Sequence, residues 1–222
     1  MLYATLEIKQ LELNEIKRLV ISAYDHIAGF YTDAYADNDD QDAKYLDEFI
    51  IRLSGNKVLD MGCGSGTNTA YLQKKGLKVI GIDASSSMLS TARRLYQTIQ
   101  FEEQDILNTS FSKNAFDGIV LAYVINHLNK KGLALLRAEI DRILRKDGLL
   151  FVSAHVGDTE SIIPDPLDAS IKIYYNFLNS NVLDELFYGY RREFYFLRQS
   201  YGAEELLCDK LFVVYKNEGS IG

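Results

Sequence analysis

The sequence predicts an α/β fold, a parallel sheet covered by helices on both sides. Three observations carry this reading. Short apolar runs alternate with helical patterns five times between Val58 and Ala154, and that alternation marks strands joined through covering helices. The first run passes into a helix through K-V-L-D-M-G-C-G-S-G-T-N-T, Lys57 to Thr69, whose glycines at alternate positions, Gly62, Gly64 and Gly66, leave bare backbone. An acid ends or closely follows each of the first three runs: Asp60, Asp83 and Asp105. Right-handed parallel connections bring all three to the carboxyl edge of one sheet, where open α/β folds bind ligands.

Taken in order, the chain opens with M-L-Y-A-T-L-E-I-K-Q-L-E-L, which has early acids and no basic segment. No apolar run approaches the ~20 residues of a membrane span, so neither export nor anchoring is expected. Ile16, Leu19, Val20, Ala23, Tyr24 and Ile27 repeat at helical spacing, with Asn14 as cap and Gly29 as stop. Asp33, Asp37, Asp39, Asp40 and Asp42 form an acidic link, read as a solvated loop that caps the next helix; a site for a cationic substrate is the other reading. That helix carries Ala43, Leu46, Phe49, Ile50 and Leu53, and Gly55 ends it.

The first strand is Val58 to Asp60, and the helix after the glycines starts near Asn68 and stops at Gly76. Lys78 to Ile82 reads as the second strand, Gln100 to Glu103 as the third and Phe116 to Ala122 as the fourth. Leu133, Leu136, Ile140, Ile143 and Leu144 share one face of a helix from Lys130 to Leu144. Lys146-Asp147-Gly148 then turns into a fifth strand, Leu149 to Ala154. Val156 to Ala169 holds both prolines, Pro164 and Pro166, and no period, so it reads as a long functional loop where substrate is chosen. Ile171 to Tyr175 is a short strand or ordered arm, Asn179 to Tyr188 a helix stopped by Gly189, and Arg191 to Leu197 with Leu211 to Tyr215 an antiparallel hairpin on the sheet edge.

The length of 222 residues fits one domain. A net charge of −7 and a pI near 5.0 give no general electrostatic hold on nucleic acid or on an anionic membrane. Two cysteines, Cys63 and Cys208, are too few for a disulfide framework, and no His and Cys set has zinc spacing. A cytoplasmic protein without a metal is expected.

The loop's composition narrows its ligand. From Val58 to Leu72 there is neither Lys nor Arg, so the phosphate cradle G-x-x-x-x-G-K-[ST] is excluded, and the third glycine comes one residue too early for G-x-G-x-x-G. Three acids along one edge suit a ligand with a ribose diol, a purine amine and a positive centre, because carboxylates accept from hydroxyls and amines and favour cations.

D-M-G-C-G-S-G-T, G-I-D-A-S-S-S-M-L, E-Q-D-I, F-D-G-I-V-L-A-Y-V-I-N-H-L and R-I-L-R-K-D-G-L-L-F-V-S resemble, in this order, the successive motifs of class I S-adenosylmethionine-dependent methyltransferases. The resemblance covers roughly residues 40 to 155. It implies a Rossmann-like, doubly wound, mostly parallel seven-stranded sheet of order 3-2-1-4-5-7-6 with an antiparallel last strand. It divides the single domain, 1–222, into an N-terminal lid segment (1–40), a cofactor-binding core (41–155) and a substrate-side part (156–222) made of loop, helix and terminal hairpin.

By resemblance, Gly62, Gly64 and Gly66 face the methionine part of S-adenosylmethionine, with Asp60 beside its ammonium. Asp83, followed by Ala84, accepts from the ribose hydroxyls, and Met88 packs on the adenine. Asp105 bonds the adenine amine with Ile106 against the ring, and Ala122 and Tyr123 border the sulfonium. Y-D-H-I-A-G-F-Y, Tyr24 to Tyr31, resembles a segment that folds over the cofactor and brings Tyr24 and Tyr31 to cofactor or substrate. Several positions also have purely structural uses. Asp83 with Ser85, Ser86 and Ser87 can start a helix, Asp105 can sit in a turn, and Met88 and Ile106 can be core.

Methyl transfer from a sulfonium is an in-line displacement, for which alignment and exclusion of water supply roughly 7–11 kcal/mol. A general base is needed only when the acceptor arrives protonated. His155, at the tip of the fifth strand, and His127, after the fourth, are the candidates, and His26 reads as surface or packing. A late aromatic cluster, Tyr174, Tyr175, Phe177, Phe187, Tyr188, Tyr190, Phe194, Tyr195, Phe196 and Tyr201, serves as core or as the wall of an acceptor pocket. The expected partner is a small-molecule O, N or C acceptor, handled by a monomer or homodimer. RNA or protein methylation is an alternative, although A-Y-V-I stands where an N-P-P-[YF] signature would be. A non-catalytic cofactor-binding protein is another.

Overall fold

The carboxyl edge of a seven-stranded sheet, roofed by one long helix, sets the architecture of this chain, seen in a computed structural model that describes residues 11–35, 39–200 and 208–219. Residues 1–10, Asp37 and Tyr201 lie outside the described residues, as do the side chains of Asp33, Asp39 and Asp40.

Helix α1 spans Leu13–Tyr35. It starts one residue before the expected cap Asn14, because the Glu12 N–H is met by the Glu15 carboxylate at 2.9 Å. It also runs through Gly29, the expected stop. A glycine ends a helix where φ turns positive. Gly29 keeps a negative φ, and Ile27 and Ala28 hold this part of the helix down on Met88.

Then follow α2 (Asp39–Ile50), β1 (Lys57–Met61), α3 (Thr67–Lys74), β2 (Lys78–Asp83), α4 (Ser86–Leu95), β3 (Gln100–Glu103), β4 (Phe116–Ala122), a 3₁₀ turn (Val124–His127) and α5 (Lys130–Ile143). The rest comprises β5 (Leu144–His155), β6 (Glu160–Pro164), β7 (Lys172–Asn176), α6 (Ser180–Leu186), β8 (Tyr190–Arg198) and β9 (Lys210–Asn217).

The main sheet has the order β3-β2-β1-β4-β5-β9-β8. β1 to β5 pair in parallel, and β9 is antiparallel to both β5 and β8. This is the expected order once the separate β6-β7 pair is set aside. Alternation distributes the strand side chains to two cores. Leu59, Ile119, Leu121, Leu150 and Val152 join α5 and α6 on one face, while Val58, Val120, Phe151 and Phe212 join α2 and α3 on the other. Both faces are covered, as a parallel sheet requires. No helix among the described residues is long and apolar enough to cross a membrane.

Later in the chain, β5 and the segment after it also differ from the sequence reading. β5 begins at Leu144 and absorbs Lys146-Asp147-Gly148 as an irregularity of the strand, with Asp147 at φ 62° and a register shift against β4. The segment 156–169 is not wholly a loop. Glu160–Pro164 pairs antiparallel with β7, and this small sheet lays Ile173 and Tyr175 against Ala23 of α1. Pro164 sits at the strand end, where its missing N–H is tolerated.

Two glycines give opposite expectations. Gly29 is mid-helix with no atom within 4 Å of a built Cβ, so Gly29→Ala should stabilise by about 0.5–1 kcal/mol. A Cβ on Gly118 of β4 would stand 2.5 Å from Phe49 Cζ and 2.9 Å from Leu53 Cδ1, so Gly118→Ala should destabilise by about 1–3 kcal/mol. Urea unfolding midpoints that moved in the same direction for both variants would contradict this packing.

Candidate active site

A cavity of about 280 Å³ lies at the carboxyl edge of the sheet, beneath α1. Its floor is the turn after β1. Gly62 and Gly64 are on the wall, with φ of 74° and 53°. A Cβ on Gly62 would meet Val124 Cγ2 at 2.4 Å, so this turn packs backbone-first against the segment after β4. Gly66, the left-handed cap of α3, faces Phe101 and Ala92 and is not on the wall.

The three acids have separate fates. Asp83 lines the cavity, and its carboxylate accepts from the Gly64 N–H at 2.9 Å and the Ser85 N–H at 2.8 Å, tying the glycine turn to the end of β2. Burial raises its pKa. Asp105 also lines the cavity. It accepts from the Leu107 N–H at 3.0 Å and forms an ion pair with Lys17 of α1.

Asp60 departs from its expected place. It is 1% exposed and stands behind the turn, off the wall, where it accepts from the Thr69 hydroxyl at 2.6 Å. The strand's alternation sends Asp60 to the Val58 face, under α3, so the turn's backbone separates it from the cavity. Burial lifts its pKa to about 7.

Ala84, Met88, Ile106, Ala122 and Tyr123 are all on the wall, and so are Tyr24 and Tyr31 of α1. Tyr123 has a left-handed backbone, φ 60°, and its hydroxyl donates to Asp42 Oδ2 at 2.5 Å. Its ring stacks on His155, with centroids 4.7 Å apart. His155 therefore lies behind Tyr123 and off the wall; its Nδ1 is 3.4 Å from Cys208 Sγ, and burial lowers its pKa to about 3.

His127 does line the cavity. Its Nδ1 is 2.9 Å from the Tyr174 carbonyl, which can only accept, so Nδ1 carries the proton and Nε2 receives the Tyr24 O–H at 2.8 Å. Burial lowers its pKa to about 4, so the ring is neutral at physiological pH. The buried Asn126 fixes this turn: its amide donates to the His155 and Asn176 carbonyls and its oxygen accepts the His155 N–H. His26, by contrast, is an exposed partner of Asp168 at 3.1 Å.

Of two further charged wall residues, Lys17 escapes the sequence reading, and Asp42 enters it only as one acid of the link whose other reading is a site for a cationic substrate. Lys17 shares a helical face with Val20 and Tyr24, and that spacing could have found it. Nothing local distinguishes Asp42 from the other acids of its link. α1 is fastened over the cavity by Lys17 to Asp105, Tyr24 to His127, and Asp25 to both the Ser85 hydroxyl (2.6 Å) and the Ser87 N–H (3.1 Å). Together the site offers a bare-backbone turn, three carboxylates and aromatic walls, which fit a nucleoside with a cationic tail.

A family model described as a methyltransferase domain matches residues 58–148. The chain is similar to a demethylmenaquinone methyltransferase of Thermotoga maritima, 28% identical over 79% of this chain and 75% of that protein. It is also similar to a demethylmenaquinone methyltransferase of Renibacterium salmoninarum, 31% identical over 46% of this chain but only 42% of that protein, so that match spans less than half of the relative. Among solved structures, the fold is similar to the 1,6-didemethyltoxoflavin-N1-methyltransferase of Burkholderia thailandensis, determined with 1,6-didemethyltoxoflavin and S-adenosylhomocysteine bound. That likeness has a TM-score of 0.76 at 17% identity and covers 97% of this chain and 95% of the other.

Proposed function

Because this chain belongs to the class I S-adenosylmethionine-dependent methyltransferase family, we propose that it transfers the methyl group of S-adenosylmethionine to an O, N or C atom of a small-molecule acceptor in the cytoplasm. The observation that carries this reading is one cavity walled jointly by the glycine turn, Asp83 and Asp105. The fit to the cofactor is supported by the open space that a Cβ at Gly64 would enter and by carboxylates on the wall with oxygens able to accept.

When bound, S-adenosylmethionine supplies a methyl group on positively charged sulfur. Gly62 and Gly64 would lie against its amino-acid part, Asp83 with Ala84 would hold the ribose, and Asp105, Ile106 and Met88 would hold the purine. Ala122 and Tyr123 would flank the reacting centre. Tyr24 and Tyr31, with centroids 6.2 Å apart, would hold the acceptor and keep water out, so that alignment contributes most of the acceleration. His127 fixes the Tyr24 hydroxyl, and because its Nε2 already accepts from that hydroxyl, a proton leaving an acceptor that arrives protonated would reach the ring only by way of Tyr24; His155 lies behind Tyr123, off the wall. The methyltransferase relatives named above, two acting on a demethylated quinone by name and one solved with a heterocycle bound, support a small flat acceptor.

Calorimetric titration with S-adenosylmethionine and S-adenosylhomocysteine should give saturable binding; no heat at millimolar ligand rejects the reading. Labelled cofactor incubated with a small-molecule cell extract should then label at least one compound, and label in none would leave a cofactor binder without transfer.

A further inference from the structure

Resting on that cofactor reading, we infer that Asp42 of α2, and not Asp60, is the carboxylate that receives the ammonium group at the amino-acid end of the cofactor. Three observations lead here. Asp42 is on the cavity wall, whereas the turn's backbone shuts Asp60 off from it. Asp42 also lies at the correct end. Its Oδ2 takes the Tyr123 O–H, Tyr123 is followed by Val124, and Val124 abuts Gly62 of the turn. The purine end, with Lys17 and Asp105, is formed by other elements.

The third observation is an unfilled acceptor. Asp42 Oδ1 is buried and, like Asp60 Oδ1 off the wall, makes no hydrogen bond among the described residues, although the guanidinium of Arg198 stands 3.3 Å away as an ion-pair partner. A carboxylate has about four acceptor directions, and Tyr123 and Arg198 leave room for one more donor. An ammonium is a compact cation with three N–H groups, and a bond from it to a carboxylate is charge-assisted at both ends. Arg198, with its side chain only 9% exposed, pins the carboxylate whether or not ligand is present. α2 thus completes a binding end that the glycine turn supplies only with backbone.

The test separates the amino-acid end from the nucleoside. Asp42→Asn keeps an oxygen for the Tyr123 hydroxyl but removes the charge. Calorimetry should show affinity for S-adenosylhomocysteine lowered tenfold or more, while 5′-methylthioadenosine, which lacks the amino-acid end, binds within twofold of its wild-type affinity. Unchanged S-adenosylhomocysteine affinity, or an equal loss for both ligands, overturns the assignment. Failure of the wild-type protein to bind either ligand overturns the cofactor reading itself, and the assignment with it. Should the Asn variant not fold, the wild-type chain must prefer S-adenosylhomocysteine over its deaminated analogue by tenfold or more, and equal affinities reject the inference.

Discussion

Asp83→Ala is expected to lower affinity for S-adenosylhomocysteine about a hundredfold, measured by calorimetry on folded protein. The Asp83 carboxylate does more than face the ligand. It accepts from the Gly64 and Ser85 N–H groups, and so holds the glycine turn in the conformation that presents backbone to the cavity. Removing it strands two amides and deletes a charged acceptor for the ribose. A bond to a charged group contributes about 1.5–3 kcal/mol, and about 1.4 kcal/mol is a factor of ten, so two lost roles give roughly two decades. Asp83→Asn, which can still accept at one oxygen, should fall between the two. Affinity within threefold of wild type for the Ala variant would detach the end of β2 from ligand binding.

The second large effect is on stability against acid. His127 and His155 titrate in the fold near 4 and 3, against an ordinary value of 6.5, because burial penalises the imidazolium. Both folded values are lowered, so below about pH 6.5 the unfolded chain binds protons that the fold refuses. Their contribution is fully present above pH 6.5 and is lost as pH falls towards 4. Between pH 6.5 and 5 each ring costs about 2 kcal/mol.

Asp60 acts with the opposite sign. Its folded value of about 7 exceeds the ordinary 3.8, so the fold holds a proton that the unfolded chain lacks, and this penalty of neutral pH is relieved on acidification. The wild-type protein should therefore lose stability only modestly between pH 7.5 and 5. Asp60→Asn should steepen that loss, and His155→Asn should shrink it by about 2 kcal/mol, read as urea unfolding free energies at the two pH values. The same acid loss in all three proteins would mean that these groups are not neutral in the fold.

The parts of this molecule legible from sequence are those with local physical causes. Strand runs of Val, Ile and Leu separated by helical periods gave the parallel core, the resemblance of the motifs supplied the strand order, and alternate glycines announced backbone exposed at a strand end. The β6-β7 pair was missed because its bonds join residues about a dozen positions apart, and Ser161-Ile162-Ile163 carries too little alternation to reveal them. That Asp42 and not Asp60 stands on the cavity wall was not legible for a related reason. Which acid reaches the cavity depends on the face of β1 that α3 covers and on how α2 crosses towards Tyr123, and both are matters of packing. The two histidines were placed at the correct edge. Only the packing shows that Tyr123 stacks on His155 and that His127 is the one on the cavity wall.

The fastening of α1 has a kinetic meaning. Its attachments reach the ends of β2, β3 and β4, so lifting the helix requires several bonds in separate parts of the molecule to open together. For a cofactor held beneath it, as proposed, exchange by this route would be a cooperative detachment of a whole helix, slower than the rotation of any of its residues and governed by the summed strength of its moorings.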